Sequence, residues 1–440
     1  RADRFSYKPD TDRALRAAAR AGGDIVTLTK ARLAVARNES KGPKLLAGVP
    51  SSLSHDPAYL FARSQVLRRA DKPQEAARAL LAANPSATEA VDTDEWWIER
   101  RLVARELLDV GDARTAYKVA ATGPRPESDN YRAEQPFTAG WIALRFLKDP
   151  QTAARNFALI AKDQDHPITL SRAYYWQARA AEAMGDQGNA RSRYELAAQF
   201  PATYYGQLAR TRIGVAPVTL RGAPQPSFSD RSTFSRLEAV KAIQLLYAIG
   251  ERHIPLTIYY DLSGRLDDAG QLGMLADLAE ENRDARSTLV VGKESMAEGF
   301  ALEKEAFPVF GLPSYTPIGT PVDKALIYAI ARQESQFNPE TLSSAKAMGL
   351  MQVTPAAGRQ VAKTTGASYS ESRLRTDQSY NVQFGAAELG ELLDTYGPNY
   401  VLIFAAYNAG RGNVAKWISR YGDPRAPDVD VLDWVERIPF

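Results

Sequence analysis

One recurrence constrains this 440-residue chain more than any other feature. Lys72-Pro73-Gln74-Glu75-Ala76, Asp112-Ala113-Arg114-Thr115-Ala116, Asp149-Pro150-Gln151-Thr152-Ala153 and Asp186-Gln187-Gly188-Asn189-Ala190 share one arrangement: a turn-forming segment, then a small residue at a helix start. The spacing of 37 to 40 residues lies in the range of helical-hairpin repeats. A larger side chain at the alanine would hold two helices apart. Between the copies lie Trp96 and Trp97, then Trp141, then Tyr174, Tyr175 and Trp176, at the helical spacing of aromatics that pack between helices. The expectation is a solenoid of helical hairpins.

The pattern breaks into Gly, Pro and Ser between Arg212 and Ser235, with Pro217, Gly222, Pro224 and Pro226. Short helices follow to about residue 306, one around Ala239 to Ile249 and another from Leu272 to Glu281. A second break, Pro308 to Pro321, contains Gly311, Pro313, Pro317 and Gly319. The chain is therefore expected to be all-α and in three parts: a superhelical domain at 1–225, a helical linker domain at 226–310 and a C-terminal domain at 311–440.

Composition removes several functions. No apolar run approaches the ~18 residues of a membrane helix, so no span is expected. Lys+Arg 55 against Asp+Glu 52 leaves a formal charge of +3 without the clustered basic residues of nucleic-acid binders. The absence of cysteine excludes disulfides, thiol catalysis and cysteine-ligated metal, and His55, His166 and His253 are too dispersed to suggest a metal cluster. No glycine loop is placed to cradle phosphate, and no cofactor is expected. The first residue is Arg1 rather than Met, which fits an exported chain after signal removal and equally a fragment.

The chemistry concentrates near the C-terminus. Thr320-Pro321-Val322-Asp323 reads as a helix start, with Thr320 as cap, Pro321 in the first turn and Asp323 at the capping-box position. The helix is expected from Lys324 to about Gln336. Within it Ile327, Ile330, Ala331 and Glu334 fall at i, i+3, i+4 and i+7, so the Glu334 carboxyl continues an apolar stripe. Desolvation there disfavours the charged form and raises the pKa toward that of a general acid. The alternative is a helix-end glutamate turned to solvent or paired with Arg332. Gly349-Leu350-Met351-Gln352 offers backbone approach, an adaptable apolar contact and an amide. Phe404 to Gly410 ends an apolar helix with Tyr407 and Asn408, and Gly410 reads as its C-cap. Glu436, in Asp433-Trp434-Val435-Glu436-Arg437-Ile438-Pro439-Phe440, is a second acid in apolar company.

Glu334-Ser335, Gly349-Leu350-Met351-Gln352, Ala406-Tyr407-Asn408-Ala409-Gly410 and Glu436-Arg437-Ile438-Pro439-Phe440, in this order and spacing, resemble the soluble lytic transglycosylases of bacterial peptidoglycan. Upstream, Ala139 to Leu147 and Ala202 to Ala209 resemble the helical region of the large, ring-shaped members. The resemblance implies a lysozyme-like catalytic domain and a periplasmic monomer, without cofactor or metal, acting on peptidoglycan glycan strands. It would cleave the β-1,4 bond between N-acetylmuramic acid and N-acetylglucosamine without water. By the same resemblance Glu334 is the catalytic acid and then the base on the muramoyl C6 hydroxyl, which closes onto C1 to give a 1,6-anhydro end. Ser343, Met351, Gln352 and Thr354 line sugar subsites, Tyr407 and Asn408 form a wall beside Glu334, and Glu436 helps to hold substrate. Lys346 stands where the family usually has glycine, Thr354 where it often has methionine, and the sequence stops at Phe440 where relatives continue. Cell-wall synthesis or division proteins are open as partners.

Two rival readings follow from the same residues. A hydrolase of the same polymer would use water in place of the C6 hydroxyl. A non-catalytic scaffold would use the repeats as a binding surface and the C-terminal domain as a glycan anchor, but it would have no need of a desolvated acid at Glu334.

Overall fold

The computed structural model describes residues 2–7, 10–84, 92–162, 164–216 and 218–439. Arg1, Pro217 and Phe440, which figure in the sequence reading, lie outside the described residues. Among those described, the chain forms 25 α-helices and one 3-10 turn. The β-type pairings there are two isolated antiparallel bridges, Leu342 with Met348 and Met348 with Val353. The all-α expectation holds. The chain divides into two compact units, Arg1–Val218 and Thr219–Phe440.

In the first unit each recurrence is a turn that launches a helix. Asp71, Gly111, Lys148 and Gly185 take positive φ and reverse the chain. Asp112, Asp149 and Asp186 then cap the next helix, accepting from the amides of Thr115, Thr152 and Asn189 at 3.1, 2.9 and 3.0 Å. In the first copy Pro73 opens the helix and Lys72 makes no side-chain cap. Ala76, Ala116, Ala153 and Ala190 are all buried, as close helix packing requires. Trp96, Trp97, Trp141, Tyr175 and Trp176 are buried too, and Phe137, Phe157 and Trp176 form one aromatic cluster with ring centroids 5.7 to 6.1 Å apart.

The second unit begins with five helices, Phe228–Arg236, Glu238–Ala248, Ile254–Ser263, Ala269–Glu281 and Ala285–Ala297. The first lies inside the stretch read as a break, and a capping box between Ser227 and Asp230 starts it. Phe234, Val240, Ile243, Tyr259, Leu262, Leu275 and Val291 form the core of this part.

Seven helices follow: Lys324–Glu334, Pro355–Thr365, Glu371–Thr376, Gln378–Tyr396, Tyr400–Ala409, Arg411–Tyr421 and Val431–Arg437. Val382, Phe384, Leu389 and Leu392 on the long Gln378–Tyr396 helix are buried in their common core, which also takes in Ala285 and Leu289 from the preceding five. Arg332 reinforces that join. Its Nε donates to the Ala306 carbonyl at 2.8 Å and its guanidinium lies 4.3 Å from the Phe307 ring centroid.

The start of the Lys324–Glu334 helix departs from the sequence reading. Asp323, in extended geometry, is the N-cap and accepts from the Ala325 amide at 2.7 Å. The Thr320 hydroxyl instead donates to Asp394 at 2.7 Å. A cap must sit one residue before the first helical residue, and Thr320 lies too far upstream for that.

Candidate active site

The Lys324–Glu334 helix ends two residues short of Gln336, because Gln336 and Phe337 both take positive φ, 51° and 61°. That turn places Glu334 at the last helical position. Ser335 fixes the end: its hydroxyl donates to the Ala331 carbonyl at 3.0 Å and to the Leu350 carbonyl at 2.8 Å. Ile327, Ile330 and Ala331 are buried, and Glu334 above them is partly buried. Burial pushes its carboxyl pKa up. Arg332, the partner considered for it, is held by Ala306 and Phe307. Among the described residues no cation pairs with Glu334.

The loop at 349–352 is the hub against which this helix end rests. Gly349 has φ +71°, and a Cβ there would lie 2.5 Å from Nδ2 of Asn381. Asn381, buried on the Gln378–Tyr396 helix, donates to the carbonyls of Met348 and Leu374 at 2.8 and 2.9 Å and accepts from the Met351 amide at 2.9 Å. The Met351 side chain is 0% exposed and lies so close to Gly385 that a Cβ there would sit 2.5 Å from the Met351 Cβ. Gln352 has φ 49°, and its amide donates to the carbonyls of Thr341 and Gly349, both at 3.0 Å.

Met351 and Gln352, read from sequence as sugar contacts, are thus turned inward to build the loop. What Met351 presents is its carbonyl, which accepts from the Tyr407 hydroxyl at 2.7 Å. Tyr407 stands on the Tyr400–Ala409 helix, ended at Gly410 with φ 84°. Burial, and then the nearby charges of Glu388 and Glu334, push the Tyr407 phenol well up, so it remains a neutral donor.

The other expected residues are arranged differently. Ser343 accepts from the Ala347 amide at 3.0 Å and anchors a tight turn in which Lys346 takes φ 62°. A lysine in that region is strained where glycine is not. Thr354 caps the Pro355–Thr365 helix, accepting from Ala357 at 3.1 Å. Asn408 is exposed. Glu436 is buried on the Val431–Arg437 helix, next but one to Trp434, whose indole donates to the Gly422 carbonyl at 3.1 Å.

The structure therefore brings together Glu334, Tyr407 and the 349–352 loop, and adds Glu388, which the sequence reading missed. Nothing in the sequence marks Glu388 as other than a surface glutamate. Its signal is register, since it follows Asn381 and Gly385 at i+7 and i+3 along one helix face. Among the described residues no group of three or more His, Asp or Glu side chains is arranged to hold a metal. What the arrangement offers is a carboxyl whose pKa burial raises and a phenol that stays neutral.

Residues 319–428 match the family model described as the transglycosylase SLT domain. The soluble lytic murein transglycosylase of Escherichia coli strain K12 is 34% identical over 123 residues, 28% of this chain and 18% of that protein. The matched region is thus under a fifth of the length of the curated soluble relatives. Likeness of fold extends much further. The crystal structure of the 70 kDa soluble lytic transglycosylase from Escherichia coli has a TM-score of 0.61 at 22% identity, covering 98% of this chain and 72% of that one. An inactive mutant of the lytic transglycosylase Slt from Pseudomonas aeruginosa gives 0.65 at 21% identity, covering 100% and 74%.

Proposed function

We propose that this chain, whose residues 319–428 form a transglycosylase SLT domain, is a lytic transglycosylase that acts on peptidoglycan glycan strands in the periplasm. The observation that carries the reading is the state of Glu334, a partly buried carboxyl with a raised pKa and no cation to ionise it. A carboxyl whose pKa is raised by burial keeps its proton to higher pH than an ordinary glutamate, which suits a general acid.

Glu334 protonates the glycosidic oxygen between N-acetylmuramic acid and N-acetylglucosamine. The acetamido group of the muramoyl residue covers C1 as the bond breaks, and the Glu334 carboxylate then takes the proton of the C6 hydroxyl as O6 closes onto C1. The proton lent in the first step is recovered in the second, and no water is consumed. Tyr407 forms the wall beside Glu334, with Asn408 exposed next to it. The second unit divides into a linker part, 226–310, and a catalytic part, 311–440, with the superhelical part at 1–225 selecting which strands reach Glu334. The chain works as a monomer without cofactor or metal. No helix of the described residues is long and apolar enough to cross a membrane.

Mass spectrometry of digested sacculi tests the proposal. A lytic transglycosylase leaves 1,6-anhydromuramoyl ends, whereas a hydrolase leaves reducing ends heavier by one water. Reducing ends alone would make the enzyme a muramidase, and undigested sacculi would favour a scaffold.

A further inference from the structure

We propose that Tyr400 and Phe404 form an outlying sugar platform, on which the glycan strand lies beyond the bond to be cleaved; the inference rests on the reading of Glu334 and Tyr407 as the cleavage site. Its basis is the register of the Tyr400–Ala409 helix. At about 100° per residue, Tyr400 and Tyr407 fall within about 20° of each other around the axis, and Phe404 about 60° from Tyr407. The three aromatics therefore share one side of the helix, while Leu402, Ile403 and Ala406 are buried on the other. Tyr407 is the inner end of this stripe. Its hydroxyl donates to the Met351 carbonyl at 2.7 Å, and the preceding carbonyl, that of Leu350, accepts from Ser335, next to Glu334, at 2.8 Å. Tyr400 lies about 10 Å further along the axis.

The outer two rings are not core residues. Tyr400 is 54% exposed and Phe404 41%, yet their centroids are 6.1 Å apart and their planes lie within 22° of parallel. Single exposed apolar side chains are ordinary, whereas two rings set side by side and continuous with a site mark a contact surface. The kind of occupant follows from charge. The Tyr400–Ala409 helix carries no charged side chain, and Arg411, just past its end, is bonded to Glu391 at 2.7 Å. This face therefore has nothing to select a charged partner. It offers aromatic rings and the amide of Asn408, exposed at i+4 from Phe404. A β-1,4-linked N-acetylhexosamine matches that set. Its ring substituents are equatorial, so its faces present C–H groups whose slightly positive hydrogens pack on the negative face of an aromatic ring. Its acetamido group can pair with a side-chain amide.

A platform of this kind acts on binding and not on the chemical step. Sugars stacked on Tyr400 and Phe404 are remote from the breaking bond, so they are held equally in the ground state and the transition state. Such uniform binding lowers KM and leaves kcat unchanged. It also favours strands long enough to reach from Glu334 to Tyr400, so the two rings set a preference for length.

Two measurements on the full chain test the inference. In the first, the chain is labelled with fluorophenylalanine and its Phe404 signal is assigned by loss in Phe404→Tyr. The hexamer of β-1,4-linked N-acetylglucosamine is then added as a neutral probe. The Phe404 signal should move and saturate, and Tyr400→Ala should weaken the apparent affinity by about three- to tenfold. A signal that stays in place up to millimolar hexamer would overturn the platform, even in a protein that releases anhydro ends. A signal that moves in a protein that releases none would leave the platform standing and remove the cleavage reading. In the second, release of anhydro ends from isolated glycan strands is followed at steady state. Tyr400→Ala and Phe404→Ala should each raise KM by about three- to tenfold with kcat held, and Tyr400→Phe and Phe404→Tyr, which keep the rings, should match the parent. An unmoved KM in both alanine variants would overturn the proposal. So would a concentration-dependent dimer in sedimentation that Phe404→Ala dissolves, because the face would then belong to a second copy of the chain.

Discussion

The Tyr407 hydroxyl donates a 2.7 Å hydrogen bond to the Met351 carbonyl, 56 residues away in sequence. This bond joins the Tyr400–Ala409 helix to the 349–352 loop, and the same loop receives the Ser335 hydroxyl on Leu350 next to Glu334. One short segment thus fixes the helix ends that carry Glu334 and Tyr407. Its backbone is further tied by the Met351 amide on Asn381 and by the Gly349 and Gln352 amides on the Thr341 and Gly349 carbonyls.

Replacing Tyr407 by Phe removes the donor and leaves the Met351 carbonyl unsatisfied. Stability of the C-terminal part should fall by about 1 to 3 kcal/mol. Turnover should fall more than KM rises, because the wall beside Glu334 loses its fixed distance. Chemical denaturation together with steady-state kinetics checks both. A variant as stable and as active as the parent would show that the bond is incidental.

Asn381→Ala is expected to cost more. The side chain serves three backbone groups in a buried setting, the Met351 amide and the carbonyls of Met348 and Leu374. Loss of three such bonds without water to replace them should destabilise by about 3 kcal/mol or more. A denaturation midpoint unchanged from the parent would mean that solvent or a rearranged loop satisfies these groups.

Truncation should be sensitive to where the cut is made. A fragment starting near Gly311 keeps every residue assigned to the site but loses Ala285 and Leu289 from the core, together with the Ala306 and Phe307 partners of Arg332. Burial of Leu289 alone contributes about 1.5 to 3 kcal/mol. A fragment starting at Thr219 keeps the whole second unit. The longer fragment should fold and release anhydro ends from short soluble oligomers, and the shorter one should be markedly less stable by circular dichroism melting. Equal stability of the two would separate the linker from the catalytic part more cleanly than this packing allows.

Much of the fold can be read in the sequence because its signals are local. Asp112, Asp149 and Asp186 cap helices where helix starts are expected, and the alanines four residues on are buried. Glu334 announces itself by continuing the stripe of Ile327, Ile330 and Ala331. What the sequence leaves open has a common physical cause. Whether Met351 and Gln352 face a ligand or their own scaffold depends on Asn381 and Gly385, some 30 residues downstream, and no local pattern encodes that. Glu388 is hidden for the same reason, since its helix face acquires meaning only when Met351 is seen against it. The Phe228–Arg236 helix was obscured by the prolines around it, although Ser227 and Asp230 spell out its capping box.

The central claim is that Glu334 delivers the proton. Glu334→Gln keeps the shape of the side chain and removes its acid function, so the protein should fold and bind glycan as before. General acid–base groups contribute typically about 10² to 10⁴-fold, and this one serves both steps. Anhydromuramoyl ends released from purified sacculi, counted by mass spectrometry for the variant and the parent at equal folded concentration, should drop to below about a hundredth. Retention of more than about a tenth of the parent's rate would contradict the account, because loss of the general acid in both steps should cost far more than that.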